Sequence, residues 1–328
     1  MKKIVFFIEG EEHFRFISPY IEILDSRDYE IKIVTLGNLP SKNLNFTKIL
    51  RKNIKTYFNQ LDADYLITTT PGIGSFYFPK NNKTKYIYVF HSLVSPNEIY
   101  LKNSFKHFDI ILSPNNIISE QLKNLISKNT IILTVGYPLL NNNYYIEDRS
   151  INENSVLIAP SWGKNSLLND RSSLVGILDN LLENNFNITF RPHPMELNNI
   201  NLDIFKDKIN LDLNKDLKNL LNYKYLITDW SGIALEFSLI KKHKSIYLDL
   251  PKKTRRKAIF NEKKEVFIED RFRKNYGLII EKDSFFQISN LITYYNDWNI
   301  LNDEYIENLT NPKFSSLKVK KIFEQIFV

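Results

Sequence analysis

Cysteine is absent from the 328-residue sequence, and methionine and glycine are scarce, with two and nine residues. The absence of cysteine excludes disulfide frameworks, thiolate metal sites, iron–sulfur clusters and a cysteine nucleophile. No apolar run approaches the roughly 20 residues that a membrane-spanning helix needs. The N-terminal run Ile4–Ile8 meets Glu9, Glu11 and Glu12 too early for a secretory signal peptide. We expect a cytoplasmic protein without a transmembrane helix.

Glycine-rich nucleotide motifs are missing as well. The first predicted strand is followed by Glu9-Gly10-Glu11-Glu12-His13 instead of G-x-G-x-x-G, and no G-x-x-x-x-G-K-[ST] occurs. Gly72-Ile73-Gly74 is an isolated glycine pair. These absences argue against dinucleotide oxidoreductases and P-loop NTPases.

The composition is that of an ordinary folded protein, with 43% hydrophobic and 25% charged residues. The 23 phenylalanines and 18 tyrosines supply large side chains for the cores. The net charge of +7 is compatible with an anionic ligand, anionic lipid or nucleic acid, and selects none of them. At roughly 150 residues per domain, the length predicts two domains.

Short apolar runs alternate with stretches of helical periodicity along the chain. Most runs are continuous, which is typical of parallel strands covered on both faces, and the alternation predicts an α/β fold. Strands are predicted at Ile4–Ile8, Ile31–Thr35, Tyr65–Thr69, Tyr86–Phe90, Ile110–Ser113, Ile131–Thr134, Val156–Ala159, Ile188–Arg191, Tyr225–Thr228 and Ile246–Asp249. Helices are predicted near residues 14–25, 97–107, 116–127, 172–185, 214–222 and 232–241.

A polar stretch without apolar periodicity divides the chain. It predicts an N-terminal domain over residues 1–142, a linker over 143–154 and a second domain over 155–312. Two such domains with a cleft between them suit a nucleotide-type ligand. Residues 313–328 form a C-terminal helix whose apolar stripe favours core packing over a membrane-surface helix. The stripe consists of Phe314, Leu317, Ile322, Phe323, Ile326 and Phe327.

Two histidines follow predicted strands, at the sheet edge where ligands meet parallel strands. His91 comes directly after Phe90, and its near-neutral pKa suits a general base, although a helix-capping role is the alternative. His193 lies between two prolines, two residues after Arg191, and the pair indicates anion recognition, with a structural turn as the alternative.

Two further turns follow predicted strands. In Thr228-Asp229-Trp230-Ser231-Gly232, hydroxyl and backbone N–H groups precede a predicted helix, which makes a phosphate site. An ordinary helix cap is the alternative reading, and the two are compatible. The second turn, Ala159-Pro160-Ser161-Trp162-Gly163-Lys164, brings a ring and a cation to the same edge.

The order and spacing of these motifs resemble the CDP-glycerol glycerophosphotransferase family, the teichoic-acid-type polymerases and their capsule-synthesis relatives. Ala159–Trp162, Arg191–Pro194 and Thr228–Ser231 with Glu236-Phe237 carry the resemblance in the second half. Phe90-His91-Ser92 resembles the family's His-Gly stretch, and Val135–Pro138 resembles its Gly-x-Pro segment. The resemblance covers about residues 85–250.

The resemblance implies a GT-B fold, in which two Rossmann-like parallel-sheet domains face an interdomain cleft. It implies no metal or other cofactor and a peripheral location at the inner face of the cell membrane. His91 and His193 map to the family's two essential histidines. The family's donor pyrophosphate contacts map to Asp229, Trp230 and Ser231, and we expect Arg191, Gly232 and Ser161 to contact the donor or its phosphates as well. Ser92 and Gly232 depart from the family's Gly and second Ser, so the donor could differ from CDP-glycerol.

The expected reaction moves a glycerol-phosphate-like group from a CDP-linked donor to a hydroxyl of a surface polysaccharide or teichoic-acid-like polymer. The alternative is a GT-B transferase that uses a CMP-sugar of the sialic acid or Kdo type, or another nucleotide sugar, with Glu9-Gly10 as its acidic element. The partners expected are the donor, a polymer or lipid-linked acceptor and an anionic membrane reached through the basic stretch Lys252–Lys264. No nucleic-acid-binding module is visible.

Overall fold

The computed structural model describes residues 1–24, 26–40, 44–101, 103–140, 151–197, 207–213, 217–252, 267–295 and 297–327. The chain divides into two compact units, of which unit 1 comprises Met1–Asn141 and Asp303–Val328 and unit 2 comprises Asn142–Asn302. Residues 303–312 thus belong to unit 1, together with the C-terminal helix, and not to the second half as the sequence suggests. Most of the predicted linker lies outside the described residues.

Each unit is built on a parallel sheet. Within the described residues, unit 1 has seven strands in the order β3-β2-β1-β4-β5-β6-β7, and unit 2 has six in the order β10-β9-β8-β11-β12-β13. The strands are β1 Lys2–Ile8, β2 Tyr29–Thr35, β3 Thr47–Lys48, β4 Tyr65–Thr68, β5 Lys85–Val89, β6 Ile110–Ser113, β7 Ile131–Thr134, β8 Ser155–Ile158, β9 Asn187–Phe190, β10 Asn210–Leu211, β11 Tyr225–Thr228, β12 Ser245–Leu248 and β13 Gly277–Ile280.

Helices connect the strands. They are α1 Glu11–Ile23, α2 Ile54–Asn59, α3 Pro96–Ile99, α4 Asn116–Leu122, α5 Arg171–Glu183, α6 Ile233–Lys241, α7 Ile268–Tyr276, α8 Ile288–Tyr294, α9 Glu304–Thr310 and α10 Ser316–Ile326. None of these helices, over the part of the chain that the structure describes, is long and apolar enough to cross a membrane.

The continuous apolar runs form the central strands because both faces of each sheet are covered. In unit 1, Ile4–Ile8 of β1 and the four residues of β4 are buried, and β1 pairs in parallel with both β2 and β4. In unit 2, all four residues of β8 are buried, and β8 pairs in parallel with β9 and β11. All ten strands predicted from the sequence are confirmed.

The C-terminal segment packs into the core of unit 1. Phe314 and Phe323 are buried, and their rings lie 5.4 and 6.1 Å from that of Tyr20 in α1. The Tyr65 hydroxyl donates to the Ile326 carbonyl oxygen at 2.6 Å. Core packing of the stripe is therefore confirmed, but Leu317 is wrongly included, because its side chain is 67% exposed.

Two predicted helices differ from the fold, and three of its strands were not predicted. The helix predicted over residues 97–107 is wrong for most of its length, because α3 ends at Ile99 and Tyr100 is extended. Phe105 and Phe108 are buried through contacts with Tyr88, with ring centroids 4.9 and 5.1 Å apart, and not through helical periodicity. The helix predicted over 214–222 is a 3₁₀ segment at Leu217–Asn222, and its first three residues lie outside the described ones. Strands β3, β10 and β13 were not predicted.

The strand orders place a topological switch point in each sheet, because successive connections leave the first strand in opposite directions. In unit 1 the switch point lies between β1 and β4, and in unit 2 it lies between β8 and β11. The carboxyl ends of neighbouring strands at such a point leave a crevice in which ligands of α/β proteins bind. The fold therefore directs attention to the residues that follow these strands.

Candidate active site

In unit 2, the predicted site residues follow β8, β9 and β11. Because β8 lies between β9 and β11, the turns that carry Ser161, Arg191 and Asp229 share one edge of the sheet. The ring of Trp162 lies 6.0 Å from that of His193, and the backbone N–H of Gly163 donates to Glu196 at 2.9 Å. The sheet topology and these contacts bring the turns after β8 and β9 together.

The carboxylate of Asp229 connects the turns after β8 and β11. Its Oδ1 accepts from the backbone N–H of Ser161 at 2.7 Å and of Trp230 at 2.5 Å, and its Oδ2 accepts from that of Leu167 at 3.0 Å. Asp229 is fully buried, and a buried carboxylate that accepts three N–H bonds is held firmly in place. Asp229 thus organises the site, and a direct donor contact at this residue stays a prediction.

Ser231 and Gly232 lead into the nine-residue helix α6. Gly232 is the N-cap, so the capping position itself supplies no side chain, and Glu236 lies in the first turn of the helix. The backbone of Gly232 has φ −63° and ψ −16°, a conformation open to any residue, so glycine is not required here for its flexibility. The capping residue therefore places no acceptor on the backbone N–H groups at the positive end of the helix dipole.

Trp230 is held by groups that the sequence did not indicate. Its indole N–H donates to the Leu250 carbonyl oxygen at 2.8 Å, and the guanidinium of Arg273 lies 4.3 Å from its ring centroid. Arg273 is buried and donates to the Leu248 carbonyl oxygen and to Asp249 at 2.7 Å. Burial lowers the pKa of Arg273, and the nearby carboxylates oppose this change. No motif in the sequence connects α7 with this turn.

Arg191 is engaged by a carboxylate inside unit 2. Its Nε and Nη2 donate to Oδ2 of Asp212 at 3.0 and 2.5 Å, and the two side chains are only 10% and 8% exposed. Asp212 follows β10, the strand missed from the sequence. The predicted contact of Arg191 with donor phosphate stays a prediction, and it would have to use the remaining N–H groups of the guanidinium.

His193 has a defined tautomer. Its Nδ1 accepts a hydrogen bond from the backbone N–H of Met195 at 3.2 Å and caps a 3₁₀ turn at Pro194–Glu196. The neutral ring therefore carries its proton on Nε2 and acts as a donor there.

In unit 1, His91 follows β5 and has the opposite tautomer. The Tyr88 hydroxyl donates to the Tyr100 hydroxyl at 3.1 Å, so the Tyr88 oxygen accepts from Nδ1 of His91 at 3.2 Å. The neutral ring then carries its proton on Nδ1, and Nε2 keeps its lone pair. Burial lowers the pKa of His91 to about 3, helped by the positive charges of His13 and Arg15. The imidazole is therefore neutral near pH 7.

His13, which the sequence did not single out, stands beside His91. The two rings are stacked, with centroids 5.0 Å apart and planes inclined by 29°. His13 lies in the first turn of α1, and its Nδ1 is 2.6 Å from Oγ1 of Thr69, the residue after β4. The position of His13 in the turn after the first strand is the one signal in the sequence that pointed to it.

Glu9 and the family-like segments have local structural roles. The Glu9 carboxylate accepts from the Thr70 hydroxyl at 3.2 Å and lies 3.8 Å from Arg51. Ser92 accepts from the backbone N–H of Val94 at 3.0 Å, which fixes the turn before α3. Gly136 has φ +94°, and a Cβ there would lie 2.3 Å from the backbone nitrogen of Phe314, so a side chain is excluded.

Comparison with protein families now adds to this geometry. A model of the CDP-glycerol:poly(glycerophosphate) glycerophosphotransferases matches residues 2–279. The chain belongs to this family. The resemblance seen in the motifs is thereby confirmed, and the protein is a CDP-glycerol-type transferase. No curated protein matches the sequence.

Solved structures show the same fold in this transferase and in other proteins. The wall teichoic acid polymerase TagF, in a structure with CDPG, is 16% identical at a TM-score of 0.64, over 99% of this chain and 89% of that one. The UDP-GlcNAc 2-epimerase of Methanocaldococcus jannaschii, solved with UDP-GlcNAc and UDP, is 15% identical at a TM-score of 0.62, over 98% of this chain and 99% of that one. The Rickettsia bellii UDP-N-acetylglucosamine 2-epimerase is 13% identical at a TM-score of 0.62, over 100% of this chain and 97% of that one. At these identities the likeness concerns the fold, and it confirms the GT-B class.

Proposed function

We propose that this glycerophosphotransferase moves a glycerol-phosphate-like group from a CDP-linked donor to a hydroxyl of a surface polysaccharide or teichoic-acid-like polymer. Family membership supports the donor class. The observation that carries the assignment of roles is the pair of opposite tautomers, with an acceptor Nε2 on His91 and a donor Nε2 on His193. A proton is taken up at the first nitrogen, and negative charge is stabilised at the second.

His91 acts on the acceptor hydroxyl in this proposal. A general base must be unprotonated, and its burial in unit 1 keeps the imidazole neutral. A base with a pKa of about 3 is weak, and a negative charge brought near the ring by a bound substrate would raise that pKa because it stabilises the imidazolium. The base would therefore gain strength in the complex with substrate.

The edge of unit 2 holds the donor phosphates in this proposal. The N-terminus of α6 with Ser231 offers N–H and hydroxyl donors, and His193 offers its Nε2 proton to the developing charge on the departing CMP. Trp230, Gly232 and Ser161 shape this edge, while Asp229 and Arg191 fix it through their buried bonds. Fixed donors of this kind stabilise the charge that develops during phosphoryl transfer.

The test is CMP release by the purified protein from a panel of nucleotide donors. CDP-glycerol should support CMP release with a polymer acceptor, and His91→Ala or His193→Ala should lower turnover by about a hundredfold or more. His107→Ala in unit 1 is the matched control and should retain wild-type turnover. CMP release from a CMP-sugar alone, or a preference for UDP donors, would replace this proposal by a sugar transferase.

We also propose that the protein works at the cytoplasmic face of an anionic membrane. The basic stretch Lys252–Lys264, first expected to make this contact, lies almost wholly outside the described residues. Support comes from an aromatic tip in unit 1, Phe76 and Tyr77, which are 69% and 65% exposed. Lys55 lies 3.7 Å from the Phe76 ring centroid. Exposed aromatic rings beside cations suit the headgroup region of a bilayer.

The segments that carry the aromatic tip strengthen this proposal by their charge. Phe78 anchors the loop through contacts with Phe7 and Phe58, at 5.9 and 5.3 Å between ring centroids. Residues 51–60 and 72–85 contain no acidic residue. Their exposed basic residues are Arg51, Lys52, Lys55, Lys80, Lys83 and Lys85. Each cation near an anionic surface contributes on the order of 1 kcal/mol.

Co-sedimentation with phosphatidylglycerol vesicles tests the membrane contact. Phe76→Ser combined with Tyr77→Ser should weaken binding several-fold, whereas Leu317→Ser, an equally exposed apolar residue of unit 1, should not. Turnover on a soluble acceptor should be the same in all three proteins. Equal binding of both variants would contradict a role for the aromatic tip.

A further inference from the structure

We propose that His13 is a positioning residue that holds the imidazole ring of His91, and that the Thr69 hydroxyl holds His13 in turn. This inference rests on the proposed role of His91 as the base and adds a second layer to that site. It involves only residues of unit 1.

The first support is the enclosure of the His91 ring. His13 stacks on the ring at 5.0 Å, and Phe16, in the next turn of α1, meets it edge-on at 5.6 Å. Tyr88 bonds to Nδ1 at 3.2 Å. Contacts with its face, its edge and one nitrogen leave the ring little freedom, so the direction of Nε2 is fixed.

The second support is the anchoring of His13 itself. Thr69 is fully buried directly after β4, and its hydroxyl oxygen lies 2.6 Å from Nδ1 of His13. His13 lies in the first turn of α1, which follows β1, the strand next to β4. The ring that supports His91 is thus tied to the two central strands of the sheet. Supporting groups on regular elements hold a catalytic side chain more precisely than loops do.

The third support is the charge around the pair. His13 and Arg15 from α1 are the charged groups that act on His91, with Tyr88 and Tyr100 as its uncharged titratable neighbours among the described residues. Both cationic groups disfavour protonation of His91, after burial as the largest cause. Loss of the His13 ring would admit water and remove one of these charges, and each change raises the pKa of His91.

Steady-state kinetics of His13→Ala and His13→Phe test the positioning role. His13→Ala should lower kcat about ten- to a hundredfold with little change in the donor KM, because a misdirected base slows only the chemical step. His13→Phe keeps a ring on His91 and should retain most of kcat. A wild-type kcat in His13→Ala would overturn the proposal. Equal losses of kcat in both variants would overturn it as well, because they would assign proton transfer to His13 itself.

Thr69→Val tests the anchor, with Thr84→Val as its matched control. Both threonines are buried in unit 1, and the Thr84 hydroxyl donates to the Ala63 carbonyl oxygen at 2.7 Å. Both variants therefore lose one buried hydrogen bond. Only Thr69→Val should lower kcat, by about tenfold, and equal kcat values in the two variants would contradict the anchor.

A titration of the His91 ring by NMR needs no turnover. The pKa of His91 should rise clearly in His13→Ala and only slightly in His13→Phe, at an unchanged thermal midpoint of unit 1. An unchanged pKa in His13→Ala would refute the contact between the rings. If the wild-type protein released no CMP from any donor, the proposed function would fail, while this titration would still decide the pairing of the histidines.

Discussion

Replacement of Asp229 by asparagine tests whether one buried carboxylate organises the donor edge of unit 2. The amide oxygen of Asp229→Asn can still accept from the backbone N–H groups of Ser161 and Trp230. The amide NH₂ would face the backbone N–H of Leu167, which now donates to Oδ2 at 3.0 Å. The hydrogen bond from Leu167 is therefore replaced by a contact between two donors. The hydrogen bonds from Ser161 and Trp230 remain, but their acceptor no longer carries a negative charge.

The magnitude follows from the number of bonds. A hydrogen bond to a charged group contributes about 1.5–3 kcal/mol, and a neutral one about 0.5–1.5 kcal/mol. Burial of a neutral amide instead of a carboxylate offsets part of the loss. We expect Asp229→Asn to lower the free energy of unfolding of unit 2 by about 2–3 kcal/mol. For a unit of this size the thermal midpoint should fall by roughly 5–10 °C.

Tryptophan fluorescence is a specific readout for unit 2. All three tryptophans of the chain, Trp162, Trp230 and Trp298, lie in that unit. Thermal and urea unfolding of Asp229→Asn should be followed at these residues, with Asp179→Asn, an exposed carboxylate of the same unit, as the control. A midpoint for Asp229→Asn equal to that of the control would refute the organising role of the three bonds.

Two other predictions concern carboxylates of unit 2. Asp170 accepts from the backbone N–H of Ser173 and pairs with Lys282 at 2.6 Å; burial raises its pKa, but these bonds outweigh burial and lower the pKa to about 2. The stabilisation by Asp170 is thus present above pH 4 and is lost as the pH falls towards 2. In Asp170→Asn the free energy of unfolding, followed by fluorescence, should therefore depend less on pH over this range. Arg191→Met should lower the free energy of unfolding by about 3–5 kcal/mol, because it leaves Asp212 buried without its cation. Urea unfolding should show that the double variant Arg191→Met with Asp212→Asn loses less free energy of unfolding than the two single variants lose together. Losses that simply add up would contradict the ion pair.

The contacts that the sequence could not supply are those between distant segments. The helix predicted over residues 97–107 has suitable spacing, but Phe105 and Phe108 pack on Tyr88 from turns, and tertiary contacts override local propensity here. The short strand β10 carries no periodic signal, although it leads to Asp212, which holds Arg191. Likewise, nothing near His13 in the sequence shows that Thr69 and His91 will lie beside it.

The sequence by itself determined the α/β class, the ten central strands and the turns that carry His91, His193 and Asp229. Continuous apolar runs must be buried on both faces, and polar residues at the ends of parallel strands must gather at one edge of a sheet. Only the tertiary structure decided the chemistry of those residues. The pairing of Arg191 with Asp212 and the bonds from Ser161 and Leu167 to Asp229 join segments that are distant in the sequence. The tautomers of His91 and His193 depend on partners two or three residues away, and the geometry of the folded turn decides which ring nitrogen meets them.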